Sequence, residues 1–487
     1  MPSSIKTYQD DPTVQSKRWV ILIVLNLFTF MSTLDGSIVN IALPSISKNL
    51  HLAIAESEWV VTGYMLTICA LILFFGKLGD MFGKIKLFKL GCVIFIAGSL
   101  LCGLSQSLFS LVASRVVQAV GASMTMSTNQ GIITEIFPAT ERGRALGLIG
   151  TFVSLGSIAG PSIGGFIVSG LGWPYIFWVN VPIGLIAIIL GWLFLPRDLI
   201  KTRAKLDIPG SLLFAASIVF IFAGLLLSQQ TGFRDPRIIA ALIGGVILFS
   251  IFLFVESRKK DPMMQLELFK NPLFSLSIFC GFLVFASNFC FNIVSPFYTQ
   301  DILHLTPSES GLVLMLFPIT MVVVAPLSGA LSDKIGSELL TFIGLLLMVA
   351  AQIGLASLHQ GSAVALVCML TAMLGISSGL FQSPNNSLVM STVKRTQLGI
   401  AGSINALVRN VGMVVGISIA TSTLFGVMSH EAGRRVTALI LNRPDIFIDG
   451  MHVVFIGSAG ICLLGAVLTG WRLFQARKRK GQTRQTV

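Results

Sequence analysis

Apolar runs of 18 or more residues recur along this chain from near Trp19 to near Trp471. Each is long enough to cross about 30 Å of hydrocarbon as a helix. A chain built this way has few options. Every backbone N–H and C=O in lipid needs an internal partner, which leaves helices or closed barrels, and runs of this length are helical. Charged residues make up only 11% of the 487 residues and mean hydropathy is +0.85. Soluble proteins carry roughly 25% charged residues. A soluble globular protein is therefore excluded.

Spans are expected near 19–43, 56–76, 87–106, 109–131, 143–169, 174–195, 207–228, 237–255, 273–296, 308–331, 338–358, 363–390, 398–426 and 450–471. An even number puts both ends of the chain on one side. Most of the 34 Lys and Arg fall on that side, so the positive-inside rule makes the termini cytoplasmic. The net charge of +13 is thereby assigned to membrane orientation, and a nucleic-acid partner is not needed to explain it. The main exception is the loop 427–449 with Arg434, Arg435 and Arg443, for which the sequence offers no function. The polar first 18 residues lead into a full-length span without a small-x-small cleavage pattern, so no cleaved signal is expected. The seven Cys are scattered through apolar segments without a CxxC pair. They read as small apolar residues, with neither disulfides nor a metal site.

Gly76-x-x-x-Asp80-x-x-Gly83 follows the second span, and Gly329-x-x-x-Asp333-x-x-Gly336 follows the tenth. The repeat implies two related halves. The expected organisation is an N-terminal six-helix bundle over 1–200, a two-helix insertion over 201–260, and a C-terminal six-helix bundle with a basic tail over 261–487. Paired halves are the usual build of secondary transporters. No glycine loop ending in Lys-Ser or Lys-Thr and no HExxH occurs, so ATP-driven chemistry and zinc hydrolysis are not indicated. The five His lie in or near loops on the outer side without a nucleophile beside them. No enzyme activity, cofactor or metal is expected.

Asp35 lies inside the first span, where a carboxylate is expensive and normally faces a protein interior or water. At 1.5 Å per residue it is roughly 24 Å from Trp19, and Arg115, on an inward-running span, is roughly 10 Å from the opposite face. The two are thus at similar depth. A carboxylate beside an Arg stays ionised, and withdrawing the Arg or closing the site to water favours its protonation. Proton binding would then depend on conformation. A static ion pair that only orients two helices is the alternative.

Gly156-x-x-x-Gly160-Pro161-x-x-Gly164-Gly165 combines close-approach spacing with a bend. Asn40, Gln118, Asn288, Asn292, Gln382, Asn385 and Asn386 are costly in lipid and should face inward, lining a cavity or bonding helix to helix. Asn129 and Gln130 raise the same alternatives, and Phe30, Phe285 and Phe289 are candidate pocket aromatics. Pro384 is expected to break its helix. Arg409, near Gly412 and Gly416, has no acid of the second half at its depth. Its partner is a carbonyl, a substrate anion or Asp35.

These residues resemble the major facilitator superfamily, and within it the fourteen-helix drug:proton antiporter branch (EmrB/QacA type). Leu34 to Pro44 is similar to that branch's first-helix signature, with Ser37 where Thr is usual. Gly76 to Phe88 resembles the superfamily loop motif, with Met81 and Ile85 in place of basic residues and Lys84 kept. Leu111-x-x-x-Arg115-x-x-Gln118 resembles a motif implicated in proton transfer, with Ala119 replacing its glycine. Gly156 to Gly165 resembles the antiporter motif, and Phe381 to Asn386 another signature of the branch. The resemblance implies an all-α integral membrane protein with the major facilitator fold: two six-helix bundles plus two inserted helices. It implies alternating access, an Asp80–Lys84 gate latch, and proton-coupled export of amphipathic drugs or dyes from a plasma-membrane monomer. The substrates would be monovalent cationic or neutral. Transport of a single metabolite on the same fold is the alternative.

Overall fold

In a computed structural model the protein is entirely helical among the described residues, which are all but 1–6, 139–140, 200–206, 232–234, 260–265, 394–397, 435, 437–442 and 486–487. The helices are α1 (Pro12–Asn49), α2 (Ile54–Ser57), α3 (Trp59–Phe82), α4 (Lys84–Gly103), α5 (Leu108–Ile136), α6 (Arg142–Gly170), α7 (Tyr175–Trp178), α8 (Asn180–Phe194), α9 (Ile208–Thr231), α10 (Pro236–Ser257), α11 (Pro272–Phe297), α12 (Pro307–Leu314), α13 (Leu316–Ile335), α14 (Ser337–Leu355), α15 (Val364–Ser391), α16 (Leu398–Glu431) and α17 (Pro444–Gln485). Thirteen spans among the described residues are long and apolar enough to cross a membrane, α7–α8 and α12–α13 each counting as one. The 29-residue α6 is a further long helix.

Several boundaries differ from expectation. The helix α1 does not end near Pro44 but runs on to Asn49. Likewise α15 continues through Pro384 rather than breaking there. Each Pro removes a single backbone donor, and in a long apolar helix the remaining ladder and packing carry the chain across. The loop expected at 427–449 is shortened from both sides, because α16 reaches Glu431 and α17 begins at Pro444. Of its Arg residues, Arg435 lies outside the described residues, and Arg443 pairs with Asp445 at 2.7 Å in exposed surroundings.

The chain forms two compact units. One comprises 1–265 together with 306–311, the other 266–305 together with 312–487. In the first, α4 lies along α5, α1 along α6, and α3 against α5. The α9–α10 pair belongs to this unit, with α9 packed on α3. In the second, α15 packs against α13 and α14, and α11 against α16. The exposed face of α10 carries Ile239, Ile243, Val246, Ile247, Ile251 and Phe254. A face so largely apolar suits hydrocarbon and not water.

Both copies of the loop repeat have the same backbone. Gly83 (φ +113°) separates α3 from α4, and Gly336 (φ +97°) separates α13 from α14. Such φ values favour glycine, which is why the repeat ends on one. The first turn of α4 is capped from a distance: Asp198 accepts from the N–H groups of Ile85 (2.9 Å) and Lys86 (3.0 Å). A carboxylate there satisfies donors that the helix leaves open. Next to it, Tyr8 donates to the Arg197 carbonyl (3.1 Å) and accepts from Leu199 N–H (3.0 Å). Gln15 bonds the carbonyls of Tyr8 and Ile136, and Arg18 makes a two-point contact with Glu141. The start of the chain thus straps one end of the first unit.

Candidate functional site

Asp35 is fully buried in the first unit, and both its oxygens are filled. Arg115 Nη1 lies 2.6 Å from Oδ2, while Gln118 Nε2 (2.9 Å) and Asn180 Nδ2 (2.7 Å) donate to Oδ1. Arg115 is equally buried. Its Nη1 also donates to Gln118 Oε1 (2.6 Å), its Nε donates to the Val60 carbonyl (3.1 Å), and its guanidinium carbon stacks 3.9 Å from the Tyr64 ring centre. Phe177 lies on a further side at 5.6 Å. A buried ion pair is tolerable only when its remaining donors and acceptors are met. Here α1, α3, α4, α5, α7 and α8 all contribute to meeting them.

The sequence builds this cage through close helix approaches. Gly98 lets α4 come so near α5 that a Cβ there would lie 2.5 Å from the Gln118 Cα. The next residue, Ser99, consequently reaches Gln118 Nε2 at 2.7 Å. Gly184 lets α8 close on α1 and α4, where a Cβ would meet Ile96 Cγ1 at 2.5 Å and Met31 Sδ at 3.2 Å. One turn back from Gly184 is Asn180, and one turn on from Met31 is Asp35. The two antiparallel helices therefore bring amide to carboxylate.

Asp35 and Arg115 come together as their depths indicate. Gln118, expected in a cavity, is instead part of the carboxylate cage and fully buried. The reason is its position at i+3 from Arg115, on the same helix face. Asn180 and Ser99 were not foreseen. The signal for Asn180 was present: an amide two residues before Pro182 inside an apolar run.

The glycine motif of α6 packs against α1. A Cβ at Gly156 would lie 2.6 Å from the Phe30 carbonyl oxygen, and one at Gly164 would lie 2.6 Å from Ile38 Cγ1. At Gly160 it would collide with the Ser37 hydroxyl, which donates to the Gly156 carbonyl at 3.1 Å. The other face meets residues 306–311, with Gly165 against the Pro307 carbonyl and the Pro161 carbonyl against Gly311.

At the loop motif, Lys84 Nζ bridges Asp80 (2.8 Å) and Glu135 (2.6 Å). The latch thus has a third member, Glu135, that the sequence reading did not include. Gly76 is in ordinary contact with Ser127. Asp333 lies in α13, and its side chain is outside the described residues.

The remaining amides mostly serve helix contacts. Asn288 donates to the Ser378 hydroxyl (3.1 Å), Asn385 to the Ser277 carbonyl (3.1 Å), and Asn129 to the Thr29 hydroxyl (2.7 Å). Asn292 bonds its own helix at the Asn288 carbonyl, Gln382 approaches Met321 Sδ at 3.7 Å, and Asn386 accepts from Asn405 at 3.1 Å. Asn40 is buried, with its carbonyl oxygen unbonded. Arg409 Nε is also buried and unbonded. Arg472 is a buried Arg the sequence reading missed; it donates to the Ser277 and Thr341 hydroxyls at 3.0 and 2.6 Å. All seven Cys are free.

A helical bundle crossing the membrane many times, with an ion pair at its heart, defines a polytopic membrane protein. The family model of the Major Facilitator Superfamily matches residues 25–417 and 277–486, and the chain belongs to that superfamily. It is 36% identical to the riboflavin transporter RibZ of Clostridioides difficile (strain 630), covering 93% of this chain and 97% of the relative. It is 33% identical to the uncharacterized transporter YebQ of Escherichia coli (strain K12), covering 97% and 99%. It is 29% identical to the multidrug transporter protein MdtP of Bacillus subtilis (strain 168), covering 87% and 77%. Among solved structures, a bacterial homolog of the human lysosomal transporter Spinster, inward-facing and occupied, superposes with a TM-score of 0.61 at 17% identity, covering 93% of this chain and 96% of the other. That likeness concerns the fold.

Proposed function

We propose that this chain is a proton-coupled exporter of amphipathic organic solutes, working by alternating access in the fourteen-helix drug:proton antiporter branch. The observation that carries the reading is the Asp35 cage. Three donors, one of them a guanidinium, aim at its two oxygens, surroundings built for a charged carboxylate. In this reading the proton is taken up when Arg115 and the amides withdraw. A site that accepts a proton in one arrangement and refuses it in another is what coupling requires, since a ligand shifts a conformational equilibrium only by its difference in affinity for the two states. In this reading 1–200 and 261–487 are the working bundles and 201–260 the insertion, the protein is a monomer of the plasma membrane, and both termini are cytoplasmic. The triad Asp80, Lys84 and Glu135 latches one end, and the glycine row of α6 seals helix against helix.

The solute is read two ways. Multidrug export is supported by relatives such as MdtP. Transport of one metabolite is supported by the 36% identity to RibZ over nearly the whole chain. Uptake of a dye panel and of riboflavin into inverted vesicles under an imposed pH gradient, acid inside, separates the two. Asp35→Asn should abolish gradient-driven transport in either case while the protein remains in the membrane. Undiminished coupled transport by that variant rejects the proton role.

A further inference from the structure

We propose that Arg409 anchors an acceptor group of the transported solute, so that the chain selects neutral or anionic amphiphiles with two hydrogen-bond acceptors side by side over monovalent cationic dyes. The inference rests on the chain moving an organic solute and narrows which one.

Among the described residues three spans carry a guanidinium well inside the protein, and two of the three are committed. Arg115 is spent on Asp35, Gln118 and the Val60 carbonyl. Arg472 is spent on two hydroxyls that tie α17 to α11 and α14. Arg409 differs. Among the described residues it makes no ion pair, and its Nε is buried without a hydrogen-bond partner. It is the twelfth residue of α16, roughly 16 Å along the helix from Leu398, far from either end of a 34-residue helix. The acids of its unit whose side chains are described all sit at or near helix ends: Glu267, Asp301, Glu338, Glu431, Asp445 and Asp449. Asp35, weighed from the sequence as a partner, has both oxygens filled within its own unit.

An unpaired guanidinium at this depth is costly, and such residues characteristically mark solute or ion paths. Arg409 is only part-buried, so part of it reaches open space. Three residues on, Gly412 seats α16 against α11, where a Cβ would lie 2.9 Å from the Phe282 carbonyl and 3.1 Å from Phe285 Cβ. The backbone under Arg409 is thereby fixed, while its head keeps unused donors. A guanidinium carries five N–H donors in a planar fork that matches two oxygens side by side, and it cannot be deprotonated at working pH. It therefore attracts a carboxylate or sulfonate edge, or a carbonyl beside a ring-nitrogen acceptor, and repels a cation. The narrowing runs against the cationic class expected from the sequence.

The test is equilibrium binding to the full chain in detergent, by fluorescence anisotropy with fluorescein (an anion), riboflavin (neutral, with a carbonyl beside a ring-nitrogen acceptor) and ethidium (a monocation). No pH gradient is involved, so the result is independent of proton coupling. The wild-type chain is expected to bind fluorescein and riboflavin at least tenfold more tightly than ethidium. Arg409→Gln should lose that tenfold for fluorescein and riboflavin and leave ethidium unchanged or improved, while Arg409→Lys should retain fluorescein better than riboflavin. Equal affinity of the wild type for all three probes overturns the proposal, as does an equal loss for all three in Arg409→Gln. If that variant does not fold, the wild-type ranking alone decides.

Discussion

The coupling between Asp35 and Arg115 can be measured as a double-mutant cycle. Removing one partner from a buried ion pair leaves an unpaired charge, which costs about 3–5 kcal/mol. Arg115→Met belongs at the lower end, because Gln118 and Asn180 still donate to the carboxylate at 2.9 and 2.7 Å. Asp35→Asn belongs at the upper end. The guanidinium then keeps only carbonyl-type acceptors and the Tyr64 face, and the new amide N–H₂ points at existing donors. The double variant removes both charges together and should cost no more than the worse single change. The expected coupling energy is therefore at least about 3 kcal/mol, at the top of the range for contacting residues. Unfolding in mixed micelles with rising dodecyl sulfate, followed by tryptophan fluorescence, reads each corner of the cycle. If the single costs add in the double variant to within about 0.5 kcal/mol, the two residues act independently, and the cage as described does not hold in solution.

Tyr8→Phe should cost about 1–2 kcal/mol, since it leaves the Leu199 N–H and the Arg197 carbonyl without a partner. Burial pushes the Tyr8 phenol up from 10.0 to about 12, so the wild-type advantage should be intact below pH 10 and vanish as pH rises through about 12; thermal midpoints of both proteins across that range check this. Gly83→Ala should cost about 1–3 kcal/mol, because the positive φ is strained for alanine and the new Cβ meets the Asp198 carboxylate; combining it with Asp198→Ala should not restore stability, because that change also uncaps Ile85 and Lys86. Gly160→Ala should cost about 1–3 kcal/mol by overpacking α6 against Ser37, and a thermal midpoint equal to wild type would show that α1 and α6 are not in close contact.

Much of this fold is legible because lipid removes alternatives. Span length and the polarity of the gaps place the helices, and depth counting alone brings Asp35 to the level of Arg115. What depth cannot give is rotation. Gln118 and Arg115 share a face, yet whether that face meets a carboxylate or a cavity depends on how α5 turns about its axis, and this is set by Gly98 on a neighbouring helix. Asn180 was hidden because a single amide in an apolar run does not reveal which way its helix is turned. The Asp198 cap was hidden for another reason. It lies in a connector 113 residues from its partner Ile85, and no local pattern announces a cap supplied from so far away. Arg472 was masked by its neighbours, since it heads a run of basic residues and counts as one more positive charge at a membrane edge.

The tie between Tyr8, the 197–199 segment and the head of α4 holds the chain where it leaves α8. Moored at Leu199, the connector leaves for α9 from a held point, and α9 packs on α3, the helix that supplies Val60 and Tyr64 to Arg115. Loosening that mooring would therefore reach the buried charge centre through a single intervening helix.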